Sequence, residues 1–244
     1  MALPASRPGV RHGSVPAGLS AHLDMLRFLV FGRAVPAVFF GVLGWRVFLN
    51  LLSQVHGLPT PVRPLDVMGG PLPVGLYFLF CAIPVAIYLG RPRPRARDGR
   101  LIARAAGLTG TVMLLVVGAF PAPVVYHAPA WLRSAGTPVT VAGFILAIWG
   151  LLYLRRSLSI IPEARRMVTE GPYRVIRHPL YAAEILVASA ILLSEPTLWA
   201  ALAFVPFIGV QLLRASFEER LLTRAFPGYA DYARYTWRII PFVW

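Results

Sequence analysis

GPYRVIRHPLYAAEILVASAILLSEPTLWAALAFVPFIGVQLL, residues 171–213, decides the fold. It opens on a dense polar cluster: Tyr173, Arg174, Arg177, His178 and Tyr181 alternate with Pro172 and Pro179. It then runs apolar twice, from Leu180 to Leu193 and from Thr197 to Leu213. Ser194-Glu195-Pro196 between the runs reads as a tight turn. The pair predicts a helical hairpin. Its first arm is short for a full crossing, because a helix needs about 20 apolar residues to span the hydrocarbon core.

Four longer apolar segments precede the hairpin: Phe28 to Leu52, Leu72 to Leu89, Leu101 to Tyr126 and Pro138 to Leu154. Arg33 and Arg46 lie near the ends of the first, where an arginine snorkels to the headgroups. Pro84 predicts a kink in the second, and Pro121 and Pro123 a bend or end to the third. Hydrophobic residues make up 57% of the chain and charged residues only 14%, and mean hydropathy is +0.65. That composition is too apolar for an ordinary soluble domain. The expected fold is an all-α integral membrane protein of about six transmembrane helices, the last two forming the hairpin. Residues 1–25, rich in Pro, Gly, Ser and Ala, read as a flexible cytoplasmic tail. Residues 26–130 form N-terminal transmembrane helices without an assigned role, and residues 138–244 the core that carries the chemistry.

The net charge of +14 could suggest nucleic acid, but the distribution of the arginines argues otherwise. All 24 basic residues are arginine, and 20 fall in the tail to Arg27, the stretch 91–104, the stretch 155–177 and the stretch 214–238. The alternate loops hold only Arg63 and Arg133. This is the positive-inside pattern, and it places both termini in the cytoplasm. RPRPRAR, residues 91–97, is an extended solvated loop able to touch anionic lipid. Membrane lipids, not nucleic acid, are the expected partner. Cys81 stands alone within an apolar run, and the five histidines are scattered, so neither a disulfide nor a metal site is expected. No glycine-rich strand-to-helix phosphate loop is present, and a Rossmann domain is not expected.

The hairpin brings two polar regions together: Arg155 to Tyr181 before it and Arg214 to Arg238 after it. Arg214 and Glu218, four apart, share a helix face. Glu218 and Glu219 project about 100° apart, so one can meet a ligand while the other pairs with arginine. Pro179 suits the first position of a helix, with His178 at its N-terminal end. FPGYADYARYTWRIIP, residues 226–241, can fold over the cluster as a short helix carrying Tyr229, Tyr232 and Tyr235. Taken singly, such arginines and tyrosines ordinarily anchor a membrane helix at the interface. Their coincidence at one face supports a polar binding site, and by itself no particular reaction.

GPYRVIRHPLYAAE followed, after the hairpin, by FEERLLTRAFPGYADYARYTWRIIP resembles the isoprenylcysteine carboxyl methyltransferase family, a group that includes phospholipid N-methyltransferases. The matching positions are Gly171, Tyr173, Arg177, His178, Pro179 and Tyr181, then Glu218, Glu219, Leu222, Phe226, Tyr229, Tyr232 and Pro241. Two departures stand out. Ala183 occupies a position where the family usually has Gly, and Pro227-Gly228 one where it usually has Gly and a polar residue. The resemblance covers residues 140–244. It implies an S-adenosylmethionine-dependent membrane methyltransferase; the expected location is the bacterial inner membrane. Tyr173, His178, Pro179, Tyr181, Glu218, Glu219 and Tyr232 would line the cofactor, with Arg177, Arg214 and His178 as catalytic candidates. A lipidic acceptor would enter from the bilayer between helices. The implied reaction is carboxyl O-methylation of an isoprenoid acid. Phospholipid amine N-methylation, a nicotinamide-dependent membrane reductase related to sterol reductases, and a non-catalytic carrier remain alternatives.

Overall fold

The computed structural model describes residues 17–119, 123–194 and 196–242. The chain begins with one continuous rod. Helix α1 (Ala17–Arg27) passes through a π-helical segment, Phe28–Ala34, into α2 (Val35–His56). Residues 17–25, read from sequence as part of a loose tail, are therefore helical; residues 1–16 lie outside the described residues. A short helix α3 (Pro64–Gly69), not expected from sequence, precedes α4 (Pro71–Gly90). Next come α5 (Leu101–Ala119) and α6 (Ala130–Leu154). The third apolar segment thus ends as a helix before Tyr126. The fourth begins eight residues earlier than expected, with Pro138 accommodated inside α6.

The hairpin is α7 (Pro179–Ser194) and α8 (Leu198–Ala225), followed by α9 (Tyr229–Arg234). Thr197 caps α8, its side chain accepting from the Ala200 N–H at 3.3 Å. The helix ends before Pro227, which cannot continue it. At 28 residues α8 is about 42 Å long, against about 24 Å for the 16 residues of α7. Its last turns therefore carry the polar residues 214–225 on a rigid rod instead of a loop. Of the expected turn at 194–196, Glu195 lies outside the described residues.

Among the described residues, four helical stretches are long and apolar enough to cross a membrane: His22–His56, Pro71–Gly90, Ala130–Ser157 and Leu198–Ala225. Helix α7 and residues Leu101–Met113 of α5 are shorter apolar helices. The outer surface confirms the solvent. Val205 is 73% exposed, Trp131 71% and Phe31 71%, an outward apolar face that only lipid matches. The protein is an all-α integral membrane protein.

Helices α6 and α7 pack closely because Gly136, Gly143 and Gly150 line one face of α6. A Cβ on Gly143 would stand 2.7 Å from Val187 Cγ2, and one on Gly150 3.0 Å from Leu180 Cδ2. The interhelical contact needs the missing side chains.

The arginine-rich connections share one end of the bundle. Arg33 donates from Nε and Nη2 to the Arg91 carbonyl at 3.0 and 2.7 Å, joining the start of α2 to the end of α4. Two short strands, β1 (Ala96–Arg97) and β2 (Glu163–Ala164), pair antiparallel across the same end. Residues 158–168 then run as a strap that meets α5 at Gly107 through Ile160 and Ile161. The Ile160 carbonyl oxygen presses on the place a Cβ of Gly107 would take, so only glycine admits the strap there.

Candidate active site

The site grows out of the hairpin's polar end. Gly171 adopts φ +59 beside the Tyr153 ring, a conformation and an approach that favour glycine. It starts the 3-10 turn Gly171–Arg174 that carries Tyr173. The backbone then runs alongside the C-terminal segment. Arg177 N–H donates to Trp237 O at 2.7 Å, Trp237 N–H to Val175 O at 2.9 Å, and His178 N–H to Arg238 O at 3.0 Å. This ladder fixes the backbone of His178 before Pro179 opens α7.

His178 is 5% exposed and sits between two carboxylates. Its Nε2 lies 3.2 Å from Glu219 Oε1 and its Nδ1 3.6 Å from Glu218 Oε2. Burial favours the neutral ring, but the hydrogen bonds and charges of Glu218 and Glu219 outweigh it and raise the pKa above its ordinary 6.5. These neighbours favour the protonated ring, which can donate to both carboxylates. The Tyr181 ring stacks on it at 5.3 Å, and the Tyr181 hydroxyl donates to Glu218 Oε1. Tyr232 donates its hydroxyl to Tyr173 O at 2.7 Å. Burial pushes the Tyr232 phenol up to about 12 and the Tyr173 phenol well above its ordinary value, so both remain protonated donors.

The adjacent glutamates divide their work, as their 100° separation predicts. Glu218 borders a cavity of about 490 Å³, together with Tyr173, His178, Pro179, Tyr181 and Tyr232. Glu219 is not among the residues lining that cavity. It binds Arg177 Nε at 2.8 Å and Arg238 Nε at 3.1 Å besides His178. Sequence reading expected Glu219 at the cofactor; in this structure three cations meet its carboxylate. Arg177 does border the cavity, but its guanidinium is committed to Glu219 and to the carbonyls of Ala233, at 2.7 Å, and Thr236. It holds the C-terminal segment in place.

Arg214 also borders the cavity, 4% exposed, with its guanidinium carbon 4.5 Å from the centre of the Tyr181 ring. Sequence reading missed its partners. Arg214 Nη1 donates to Gln211 Oε1 at 2.8 Å and to Glu184 Oε2 at 3.2 Å, and Gln211 donates to the same Glu184 oxygen. Glu184 lies three residues after Tyr181 on α7, one turn along the same face; that spacing was the available signal.

The cavity does not stop at the polar wall. It extends along an apolar lobe lined by Phe40 of α2, Tyr77 and Phe80 of α4, Phe144 of α6 and Val187 of α7. Tyr77 stacks on Phe144 at 5.2 Å. The N-terminal helices thereby gain a part in the site that the sequence did not assign them. A single chamber offering a charged aromatic wall and an oily lobe suits an amphiphile.

Fold and site together define a membrane protein that encloses a polar reaction-sized chamber opening onto an apolar one. Residues 131–228 match the family model described as phospholipid methyltransferase. The chain is 30% identical over 112 residues to the nickel-cobalt-cadmium resistance protein NccN of Alcaligenes xylosoxydans xylosoxydans, covering 46% of this chain and 52% of that protein. It is 29% identical over 122 residues to protein-S-isoprenylcysteine O-methyltransferase B of Arabidopsis thaliana, covering 46% of this chain and 61% of the relative. The matches thus span between half and two thirds of these relatives. Residues 131–228 thus resemble the phospholipid methyltransferase family, the group to which the paired motif points.

Proposed function

We propose that the protein is an S-adenosylmethionine-dependent methyltransferase acting on a lipophilic acid, an isoprenylcysteine-like or other isoprenoid carboxylate. The carrying observation is the cavity that joins the His178–Tyr181–Glu218 wall to the aromatic lobe around Phe144.

The donor set fits the cofactor. Glu218 faces the cavity as a carboxylate able to take an ammonium or ribose hydroxyls. The Tyr173, Tyr181 and Tyr232 rings in the same wall suit an adenine and a sulfonium. Bound there, the cofactor supplies an electrophilic methyl group. Displacement at that methyl depends chiefly on alignment, which the ladder fixing His178 and the buried Tyr181 provide.

The state of His178 favours an acid over an amine acceptor. A protonated amine must lose its proton before it attacks, and both nitrogens of His178 already face carboxylates. A carboxylate is ionised and needs no base. The positive-inside distribution of the arginines supports placing this polar end in the cytoplasm of a bacterial inner membrane.

Titration of the purified protein with S-adenosylhomocysteine and with NADPH tests the cofactor; binding of NADPH alone would replace this reading by the reductase. Labelled methyl donor and a native membrane extract then test the acceptor. An alkali-labile lipid product is expected. An alkali-stable N-methyl product would favour the amine, and cofactor binding without turnover a carrier.

A further inference from the structure

The cations bordering the chamber are not equally matched. Arg177 pairs with Glu219, Arg214 with Glu184, and His178 with Glu218 and Glu219. Arg165 differs. Its partner Glu163 is shared three ways: Arg165 Nη2 at 2.6 Å, Arg97 Nε at 2.7 Å and Arg91 Nη2 at 3.7 Å. Arg97 is 41% exposed and solvated, but the Arg91 and Arg165 side chains are each 3% exposed. Two buried guanidiniums therefore face one buried carboxylate.

The hydrogen bonds leave the same deficit. Arg165 spends Nε on the Pro92 carbonyl at 2.9 Å and Nη2 on Glu163, while its buried Nη1 has no hydrogen-bond partner among the described residues. Arg91 Nε is likewise buried without one, although its guanidinium lies 4.4 Å from the centre of the Tyr88 ring. An unmatched buried cation is costly. Burial, then the charge of Arg165, lowers the Arg91 pKa to about 10, the direction expected of an overcharged cluster. Arg165 borders the chamber together with Glu163, Tyr88 and the exposed Arg166.

We propose that Arg165 is an anion subsite of the chamber, binding the carboxylate or phosphate of an amphiphile whose apolar chain lies in the lobe lined by Phe144. On the methyltransferase reading, on which this part rests, that amphiphile is the acceptor, so the acceptor carries an anionic head. The subsite differs from Arg177 and Arg214, the arginines expected from sequence to hold the acid. Arg214 has Glu184, and Arg177, His178 and Arg238 share Glu218 and Glu219, whereas among the described residues Glu163 alone faces Arg91, Arg97 and Arg165.

The experiment uses the full chain in neutral detergent. Binding of palmitate, hexadecanol, lysophosphatidate and inorganic phosphate is measured from shifts in the thermal unfolding midpoint. Wild type should bind palmitate or lysophosphatidate about tenfold or more tighter than hexadecanol, the scale of a charged hydrogen bond. Which of the two binds better distinguishes an acid from a phosphate head. Arg165→Gln should remove the preference while leaving hexadecanol binding unchanged, and Arg165→Lys should retain part of it. If Arg165→Gln fails to fold, Glu163→Gln is the second variant, and it should enlarge the preference by removing the competing carboxylate. Equal binding of palmitate and hexadecanol by wild type would overturn the proposal. So would a preference unchanged in Arg165→Gln, or inorganic phosphate binding as tightly as the amphiphiles. A preference abolished by saturating S-adenosylhomocysteine would assign Arg165 to the cofactor's own carboxylate and overturn the acceptor assignment. Anion preference without any S-adenosylhomocysteine binding would instead sink the methyltransferase reading and leave the subsite standing.

Discussion

Arg177 and Glu219, 42 residues apart in sequence, meet at 2.8 Å, and the two carbonyls that Arg177 also binds belong to the C-terminal segment. This contact joins the start of the hairpin, its last turns and the tail in one knot, so its loss should be felt as instability. With side chains 14% and 21% exposed, the pair is partly screened. Glu219→Gln should lower unfolding stability by about 2 kcal/mol, below the cost of breaking a fully buried pair. Glu218→Gln should instead weaken S-adenosylhomocysteine binding about tenfold with little change in stability. Measuring both quantities on both variants checks the division of labour. The reverse pattern would exchange the roles of the two glutamates.

The imidazolium of His178 gives stability a pH dependence of definite sign. Its folded pKa is raised above the ordinary 6.5, so the stabilisation is fully present below that value. It is lost as pH rises through the folded pKa, because there the folded state gives up a proton it held against two carboxylates. Unfolding midpoints should fall as pH rises above 6.5, and His178→Gln should flatten that fall. Glu163 acts at the opposite end. Burial raises its carboxyl pKa, but Arg165, Ser159 and Arg91 outweigh burial and hold it below 4.5. Its contribution is present above 4.5 and lost as pH falls through the depressed value, a loss that Glu163→Gln should remove. A midpoint independent of pH in the wild type would contradict both assignments.

The glycine face of α6 gives a purely steric prediction. Gly143→Leu must displace Val187, and Gly150→Val must displace Leu180. Each should cost about 1–3 kcal/mol by overpacking. A methyl group added to Gly41 of α2 would meet nothing within 4 Å, so Gly41→Ala should be neutral or stabilising by up to about 1 kcal/mol from helix propensity. Thermal unfolding in detergent orders the three. Destabilisation by Gly41→Ala comparable to Gly143→Leu would show that backbone freedom, and not the α6–α7 contact, governs this face.

Period and composition made the apolar rods legible, and the paired motif made the His178–Glu218 wall legible. What escaped was contact between residues whose local sequence hides them. Glu184 sits in the apolar run of α7, and only the fold shows Arg214 and Gln211 beside it. Glu163 gains meaning from Arg91, which lies beyond α5 and α6 in the chain. Helix ends shifted for local reasons. Pro138 is carried within α6, and residues 214–225 continue α8 because a polar helix leaving the apolar layer needs no change of backbone. The N-terminal helices carry no motif, and their aromatic lining of the lobe is visible only in three dimensions.

The last prediction concerns which side of the membrane the polar end faces. Arg95 lies in the exposed arginine-rich loop after α4, and its N–H donates to Ala164 O at 2.8 Å, tying that loop to the strap beside the site. His127 is exposed at the other end, near the Val124–Thr197 bridge. The native Cys81 is 0% exposed, so it should give little background to a thiol reagent. In intact bacterial spheroplasts a membrane-impermeant maleimide should label His127→Cys and spare Arg95→Cys until the membrane is permeabilised. The inward pull on arginine makes this the expected orientation. It also puts the polar wall on the side where a nucleoside methyl donor made in the cytoplasm would reach it. Labelling of Arg95→Cys from outside would invert the topology and deprive the proposed reaction of its cofactor supply.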